Sequence, residues 1–232
     1  MTEKLTNGKI IALIGGTGKE GKGLAYRWLK SGYRVLIGSR QQEKAAAAAA
    51  EVQGMFKQAV DVRGLTNSEA ATQADLVVLT VPYGAHRPTL ETLKPCLAGK
   101  ILIDVTVPLV PPRVTRVQIP AAGSAAQEAQ AILGEETQVV AAFQNVSYEK
   151  LLGEEEVACD VLVCGGNKTA RAQVLELVAA AGLVGFDAGP IENSVVVEGL
   201  TSVLIGINKQ FGVQSAGIRI TGVPRDPEKT EI

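Results

Sequence analysis

The sequence predicts a doubly wound, mostly parallel α/β sheet of Rossmann type with a small C-terminal helical segment. Three observations predict it. Runs such as "IIALIG" (Ile10–Gly15), "DLVVLTV" (Asp75–Val81) and "KILIDV" (Lys100–Val105) are apolar at successive rather than alternate positions, the pattern of strands covered on both faces. Helical stretches alternate with such runs. A glycine cluster, Gly15–Gly21, separates the first run from the first helix.

The elements follow in order. Strand Lys9–Gly15 leads into helix Lys22–Ser31, where Leu24/Trp28 and Ala25/Leu29 are spaced i, i+4 and Gly32 closes the last turn. Strand Tyr33–Gly38 precedes helix Gln41–Gln53, whose run Ala45–Ala50 consists of strong helix formers. Strands are expected at Phe56–Val60, Asp75–Val81 and Lys100–Val105. The Pro-rich stretch Val107–Gly123 then breaks the rhythm, and a loop that long in a compact domain is often functional. Helix Ser124–Leu133, strands Thr137–Phe143 and Asp160–Cys164, helix Lys168–Ala181 and strand Leu183–Asp187 follow. The final helix, Ser194–Phe211, carries an apolar surface too broad for one seam, so burial on several sides, including by a partner subunit, is expected. The polar tail after Pro224 is expected to fray. This organisation amounts to a Rossmann-type domain over residues 8–188 and a C-terminal helix and extension, 189–232, expected to serve as pocket wall and dimer contact.

Composition narrows the function. The 232 residues are 46% hydrophobic and 20% charged, enough apolar material for a sizeable core and against disorder. A net charge of −1 argues against a general nucleic-acid or membrane-surface binder. Cys96, Cys159 and Cys164 have no His-rich segment beside them and read as small hydrophobes, with no metal site implied. The start, "MTEKLTNGK", is polar, and no apolar run reaches membrane-spanning length uninterrupted, so the chain reads as cytoplasmic.

Gly16-Thr17-Gly18-Lys19-Glu20-Gly21 fits G-x-G-x-x-G between a strand and a helix. The glycines permit a tight turn and close approach of backbone to a pyrophosphate, which the helix N-terminal N–H groups then face. Gly15, Gly18 and Gly21 also fit the G-x-x-G-x-x-G spacing of short-chain dehydrogenases. The Tyr-x-x-x-Lys pair such enzymes use has one match, Tyr26 and Lys30, but on the first helix, away from any hydride-transfer site. The second strand ends in Ser39-Arg40 rather than an acidic residue, with Lys44 one helical turn beyond. A carboxylate there would bind a ribose 2′-OH, whereas a guanidinium, a hydroxyl and an ammonium suit a 2′-phosphate, so NADP(H) is expected. Glu43 should point away.

Groups suited to acid–base chemistry are sparse. His86, the lone histidine, reads as a helix-start residue at the rim of the pocket. Asp104, ending a strand, reads as a loop anchor. No nucleophilic triad, metal-ligand spacing or convergent carboxylate pair stands out. Hydride exchange between two redox cofactors needs little beyond stacking, orientation and exclusion of water.

"IALIGGTGKEGKGLAYRWLKSGYRVLIGSRQQEKA", "DLVVLTVPY" and "DAGPIENSVVVEGLTSVLIGIN" resemble the F420:NADP oxidoreductases, NADPH-dependent reductases of coenzyme F420. The likeness runs in order through most of the chain. It implies a reversible hydride transfer between the nicotinamide C4 and C5 of a deazaflavin, so NADP and coenzyme F420 are the expected cofactors. The missing proton-relay groups predict that no side chain is catalytic, and the broad apolar surface of Ser194–Phe211 predicts a homodimer. The likeness implies that Thr17, Gly18, Lys19 and Glu20 lie on the pyrophosphate side and Ser39, Arg40 and Lys44 at the 2′-phosphate. Val81, Pro82 and Tyr83 would lie along the nicotinamide half and Val107 on its far side. Phe143 and the segment Gln144, Asn145, Val146, Ser147 would face the deazaflavin. Members from methane-forming archaea carry a histidine where this chain has Gln144, which can hydrogen-bond a ring carbonyl but cannot become cationic. The extension "GVQSAGIRITGVPRD" goes past the archaeal pattern. Two other readings stay open: an NADP-dependent reductase of a small carbonyl or imine substrate with His86 as proton donor, and a non-catalytic NADP-binding accessory or sensor protein.

Overall fold

The computed structural model describes residues 8–153 and 156–223; the first seven residues and the tail from Pro224 lie outside them. In chain order the strands are β1 (Ile10–Ile14), β2 (Arg34–Ser39), β3 (Val62–Thr66), β4 (Leu76–Leu79), β5 (Ile101–Asp104), β6 (Gln138–Ala141), β7 (Asp160–Gly165) and β8 (Val184–Asp187). They form one sheet in the order β3-β2-β1-β4-β5-β6-β7-β8. β1 to β6 are parallel, β7 runs antiparallel to β6, and β8 is parallel to β7. The chain winds outward from β1 to β3, then crosses back to β4. The carboxyl ends of β1 and β4 therefore border the crevice where such sheets take their ligands.

The helices are α1 (Lys19–Lys30), α2 (Gln42–Gln53), α3 (Asn67–Gln73), α4 (Tyr83–Leu97), α5 (Ala125–Leu133), α6 (Tyr148–Leu151), α7 (Lys168–Ala180) and α8 (Ser194–Phe211). Two apolar clusters cover the two faces of the sheet, one around Trp28, Ile11 and Val78, the other around Leu79, Leu90 and Leu102. Trp28 of α1 is fully buried, donates Nε1–H to the Leu177 carbonyl of α7 at 3.0 Å, and meets Phe143 edge-on at 5.7 Å. One side chain thereby ties the first helix to α7 and to the turn after β6. Among the described residues, no helix is long and apolar enough to cross a membrane.

Most strands fall where the apolar runs place them, and the third does not. Phe56–Val60 is turn and loop, with the Phe56 ring 5.1 Å from that of Tyr26; the strand is Val62–Thr66. β3 is an edge strand with no buried residue, so it lacks a core strand's apolar signature. Gly64 lets α2 lie on it, since a Cβ there would come 2.2 Å from the Ala45 carbonyl carbon. α1 starts at Lys19 rather than Lys22, because Gly21 and Gly23 disguise its first turns. A helix start near His86 is borne out by α4, whose extent the sequence does not show, and α3 and α6 are additional elements. α3 is short and rests on a reciprocal cap between Thr66 and Glu69, α4 contains Pro88 and Pro95, and α6 is one turn. Val107–Gly123 is a long irregular segment, as expected.

Candidate active site

The first half of the site grows from the β1 turn. Gly15 takes φ 70°, a conformation L side chains rarely adopt. A Cβ on Gly21 would sit 2.5 Å from the Gly16 Cα, so α1 can begin pressed against the turn only without one. Gly18 is the exposed N-cap of α1 and supplies no side-chain cap, leaving the first N–H groups of the helix open to an anion. Asn67, the first residue of α3, holds the turn from the other side: its Oδ1 accepts the Gly15 N–H at 3.2 Å.

Beside this turn lies a cavity of about 260 Å³. It brings together Thr17, Ser39, Arg40, Lys44, Val81 and Pro82 of the expected residues, with Gly15, Gln41, Asn67, Ala85 and Thr89. Ser39 is nearly buried, and its Oγ accepts the Gln41 N–H at 3.2 Å. Arg40 and Lys44 are exposed, and neither forms an ion pair among the described residues. Two unpaired cations beside a serine hydroxyl suit a phosphate. Gln41, Asn67, Ala85 and Thr89 were missed; the Thr66-x-x-Glu69 capping box was the signal for a helix start at Asn67.

Lys19 and Glu20 do not line this cavity. The Lys19 ammonium lies 4.8 Å from the centre of the Tyr148 ring and 3.4 Å from its hydroxyl. Glu20 Oε1 is sealed from solvent with no hydrogen-bond partner, and burial pushes the carboxyl up to about 8. Near neutral pH it is mostly protonated and adds little negative charge to the anion-facing turn.

The second half lies at the carboxyl ends of β5 and β6. Asp104 does anchor the following loop, its Oδ1 accepting the Thr106 N–H at 3.0 Å. His86 departs from expectation. It is not at the pocket rim but fully buried, with Nε2 2.7 Å from Asp104 Oδ2 and Nδ1 3.9 Å from Glu128 Oε2. The reason is α4, which begins at Tyr83 and carries His86 one turn inward. Glu128 of α5 accepts from the Tyr83 hydroxyl at 2.9 Å and from Arg87 Nη2 at 2.6 Å. Burial first, then this bond to Glu128, pushes the Tyr83 phenol up to about 12. The Tyr83 hydroxyl is thus turned toward α5.

The turn after β6 is held from several directions. Phe143 has φ 73°, the one positive value at a non-glycine position among the described residues. Gln144 donates Nε2–H to the Asp104 carbonyl at 2.7 Å, while its Oε1 is buried without a partner. Asn145 Nδ2 donates to the Val197 carbonyl at 2.9 Å and Thr201 Oγ1 at 3.1 Å; Thr201 Oγ1 in turn donates to the Gln144 carbonyl at 2.9 Å. Val146 is buried, and Ser147 Oγ donates to the Gln214 carbonyl at 2.9 Å. α8 is therefore the wall that this turn leans on. Its Glu198 accepts from the Ala125 and Ala126 N–H groups at the start of α5. Burial still outweighs those donors and pushes that carboxyl up to about 8. Val107 is half-buried at the start of the long loop, its carbonyl accepting the Leu109 N–H at 2.7 Å.

Comparison with known proteins gives a consistent picture. Residues 10–108 match the model of a family described as NADP oxidoreductase coenzyme F420-dependent. An F420-dependent NADP reductase of Methanocaldococcus jannaschii is 39% identical over 221 residues, which cover 92% of this chain and 98% of that protein. One of Methanothermobacter thermautotrophicus is 41% identical over 221 residues, covering 92% and 95%. The crystal structure of a candidate F420-dependent NADP reductase from Arthrobacter sp. FB24 superposes with a TM-score of 0.76 at 26% identity, covering 92% of this chain and 99% of that one.

Proposed function

The chain belongs to the family of F420-dependent NADP reductases, and from that premise we propose which of its residues hold each coenzyme. The reaction is reversible hydride transfer between NADP(H) and the deazaflavin coenzyme F420. When bound, the two coenzymes supply the redox chemistry, nicotinamide C4 exchanging hydride with deazaflavin C5. The protein binds, orients and excludes water.

The observation that carries the NADP half is the pairing of Thr17, next to the uncapped helix start at Gly18, with two unpaired cations, Arg40 and Lys44, in the lining of one cavity. Gly16, Thr17, Gly18 and Gly21 receive the pyrophosphate, with Lys19 adding positive charge from the rim. Protonated Glu20 leaves that charge largely unopposed. Ser39, Arg40 and Lys44 receive the 2′-phosphate. Val81, Pro82 and Tyr83 line the nicotinamide half, with Val107 beyond it.

For the deazaflavin, the supporting observation is the braced turn after β6, where Gln144 is tied to the Asp104 carbonyl and backs the wall. Asn145, Val146 and Ser147 complete that wall, backed by α8. No side chain acts as an obligatory acid or base in this reading. Reduction of a carbonyl or imine with His86 as donor would require His86 to reach the substrate, and it is fully buried.

The same reading treats residues 8–188 as the NADP-binding unit and 189–232 as pocket wall and dimer contact. Val196, Val203, Ile207 and Phe211 form an exposed apolar stripe on α8, more than a monomer needs to show and suited to a homodimer. It implies a cytoplasmic enzyme, since both redox partners are dissociable coenzymes. The test is direct: NADPH mixed with the protein and oxidised deazaflavin should bleach the deazaflavin chromophore. Tight NADPH binding with no bleaching would overturn the assignment of the second half-site.

A further inference from the structure

After α8 the chain turns back on itself. Gly212 takes the left-handed conformation, φ 65°, and Ala216 N–H is caught by Asn208 Oδ1 at 2.9 Å. The returning segment, Val213–Ile220, then meets the turn after β6 once directly, at Ser147, and once through Cys159. The Gln214 carbonyl accepts from Ser147 Oγ at 2.9 Å. Gly217 passes over Cys159 so closely that a Cβ would lie 2.8 Å from the Cys159 sulfur, whose thiol donates to the Asn145 carbonyl at 3.4 Å. Farther along, the segment is bonded to the first residue of β7. Asp160 N–H donates to the Ile218 carbonyl at 2.8 Å, Ile220 N–H donates to Asp160 Oδ2 at 2.6 Å, and Ile218 packs against the core.

We propose that Val213–Ile220 is a strap that positions the Asn145–Ser147 turn and so sets how well the hydride partner of NADP(H) is bound. This rests on the assignment of that turn to the deazaflavin. The two ends of the strap are fixed, at Asn208 on α8 and at Asp160 on β7, and the turn is held between them. A segment anchored at both ends transmits its length and packing to whatever it touches. The NADP cavity, lined by residues of the β1, β2 and β4 turns, includes none of the strap's contacts.

The test uses the full chain with Asn208→Ala, which frees the Ala216 end of the strap, or Gly217→Val. In the substituted proteins, KM for the deazaflavin should rise about tenfold, the equivalent of losing ~1.4 kcal/mol, roughly one hydrogen bond or its packing. The Kd for NADPH, read by its fluorescence, should stay within about twofold, well under that factor of ten. An unchanged deazaflavin KM in both substituted proteins overturns the proposal. So does a parallel loss of NADPH affinity, which would mark the strap as serving stability alone. If the wild-type protein fails to reduce deazaflavin at all, the assignment of the turn has failed instead.

Discussion

His86 Nε2 lies 2.7 Å from Asp104 Oδ2, and both side chains are sealed from solvent. The pair fastens α4 to the end of β5 beneath the turn on which Gln144 rests. A buried hydrogen bond of this kind holds geometry, and removing one partner leaves the other unsatisfied. His86→Ala is expected to destabilise the fold by about 1–3 kcal/mol, the cost typical of a buried polar group left without its partner. Its hydride-transfer rate, measured where the protein remains folded, should fall less than about tenfold, below the 10²–10⁴ of a lost general acid. Abolished turnover with both coenzymes still bound would make His86 part of the chemistry.

Arg40 decides between the two nicotinamide coenzymes. Charge-assisted hydrogen bonds contribute roughly 1.5–3 kcal/mol. Arg40→Ala should therefore weaken NADPH by about one to two orders of magnitude and leave NADH nearly unchanged. Titration of both coenzymes checks this, and equal losses for the two would refute it.

Asn67 should act without that selectivity. Its Oδ1 fixes the Gly15 N–H, and the glycine turn serves the part common to both coenzymes. Asn67→Ala leaves that N–H without its acceptor, which costs about 1–3 kcal/mol where the group is buried. NADPH and NADH affinities should fall together, and a loss confined to NADPH would place Asn67 at the 2′-phosphate instead.

Glu20 predicts a pH dependence. Its carboxyl titrates at about 8 in the folded protein against an ordinary value of 4.5. Between those values the folded chain holds a proton that the unfolded chain has released. Stability is then full below the ordinary value and declines as pH rises toward the folded one. Glu198, raised to about 8 as well, contributes in the same direction and remains in the variant. Glu20→Gln should make the decline of Tm with rising pH shallower, and NADPH binding above pH 8 should weaken in wild type but not in the variant. Identical pH profiles would show that Glu20 is already ionised.

The α8 stripe predicts a pH-independent dimer. Phe211→Asp or Val203→Glu should convert it to monomer by putting charge on the buried face. Light scattering reads the outcome, and a concentration-independent monomer mass for the wild type would remove the basis of the proposal.

The sheet and the NADP half of the site were legible because their signals are local. Ile10–Ile14 and Leu76–Leu79 announce strands by being apolar at every position, and Gly16–Gly21 announces the turn by lacking side chains where backbones must touch. Ser39, Arg40 and Lys44 are neighbours in sequence, so one strand end and one helical turn suffice to gather them. β3 escaped because an edge strand needs little apolar surface, and the extent of α4 because Pro88 and Pro95 mimic a break.

Only the tertiary structure decided the remainder. Burial of His86 depends on β5 and α5 closing around α4, contacts 18 and more residues away. The orphaned Gln144 oxygen, the grip of Thr201 on the turn after β6, and the strap over Cys159 join segments separated by 40 residues or more. Sequence by itself determined what could be read within one strand, turn or helix. Which polar atoms end up paired, and which are sealed without a partner, was decided by packing between distant elements, because only there is water excluded.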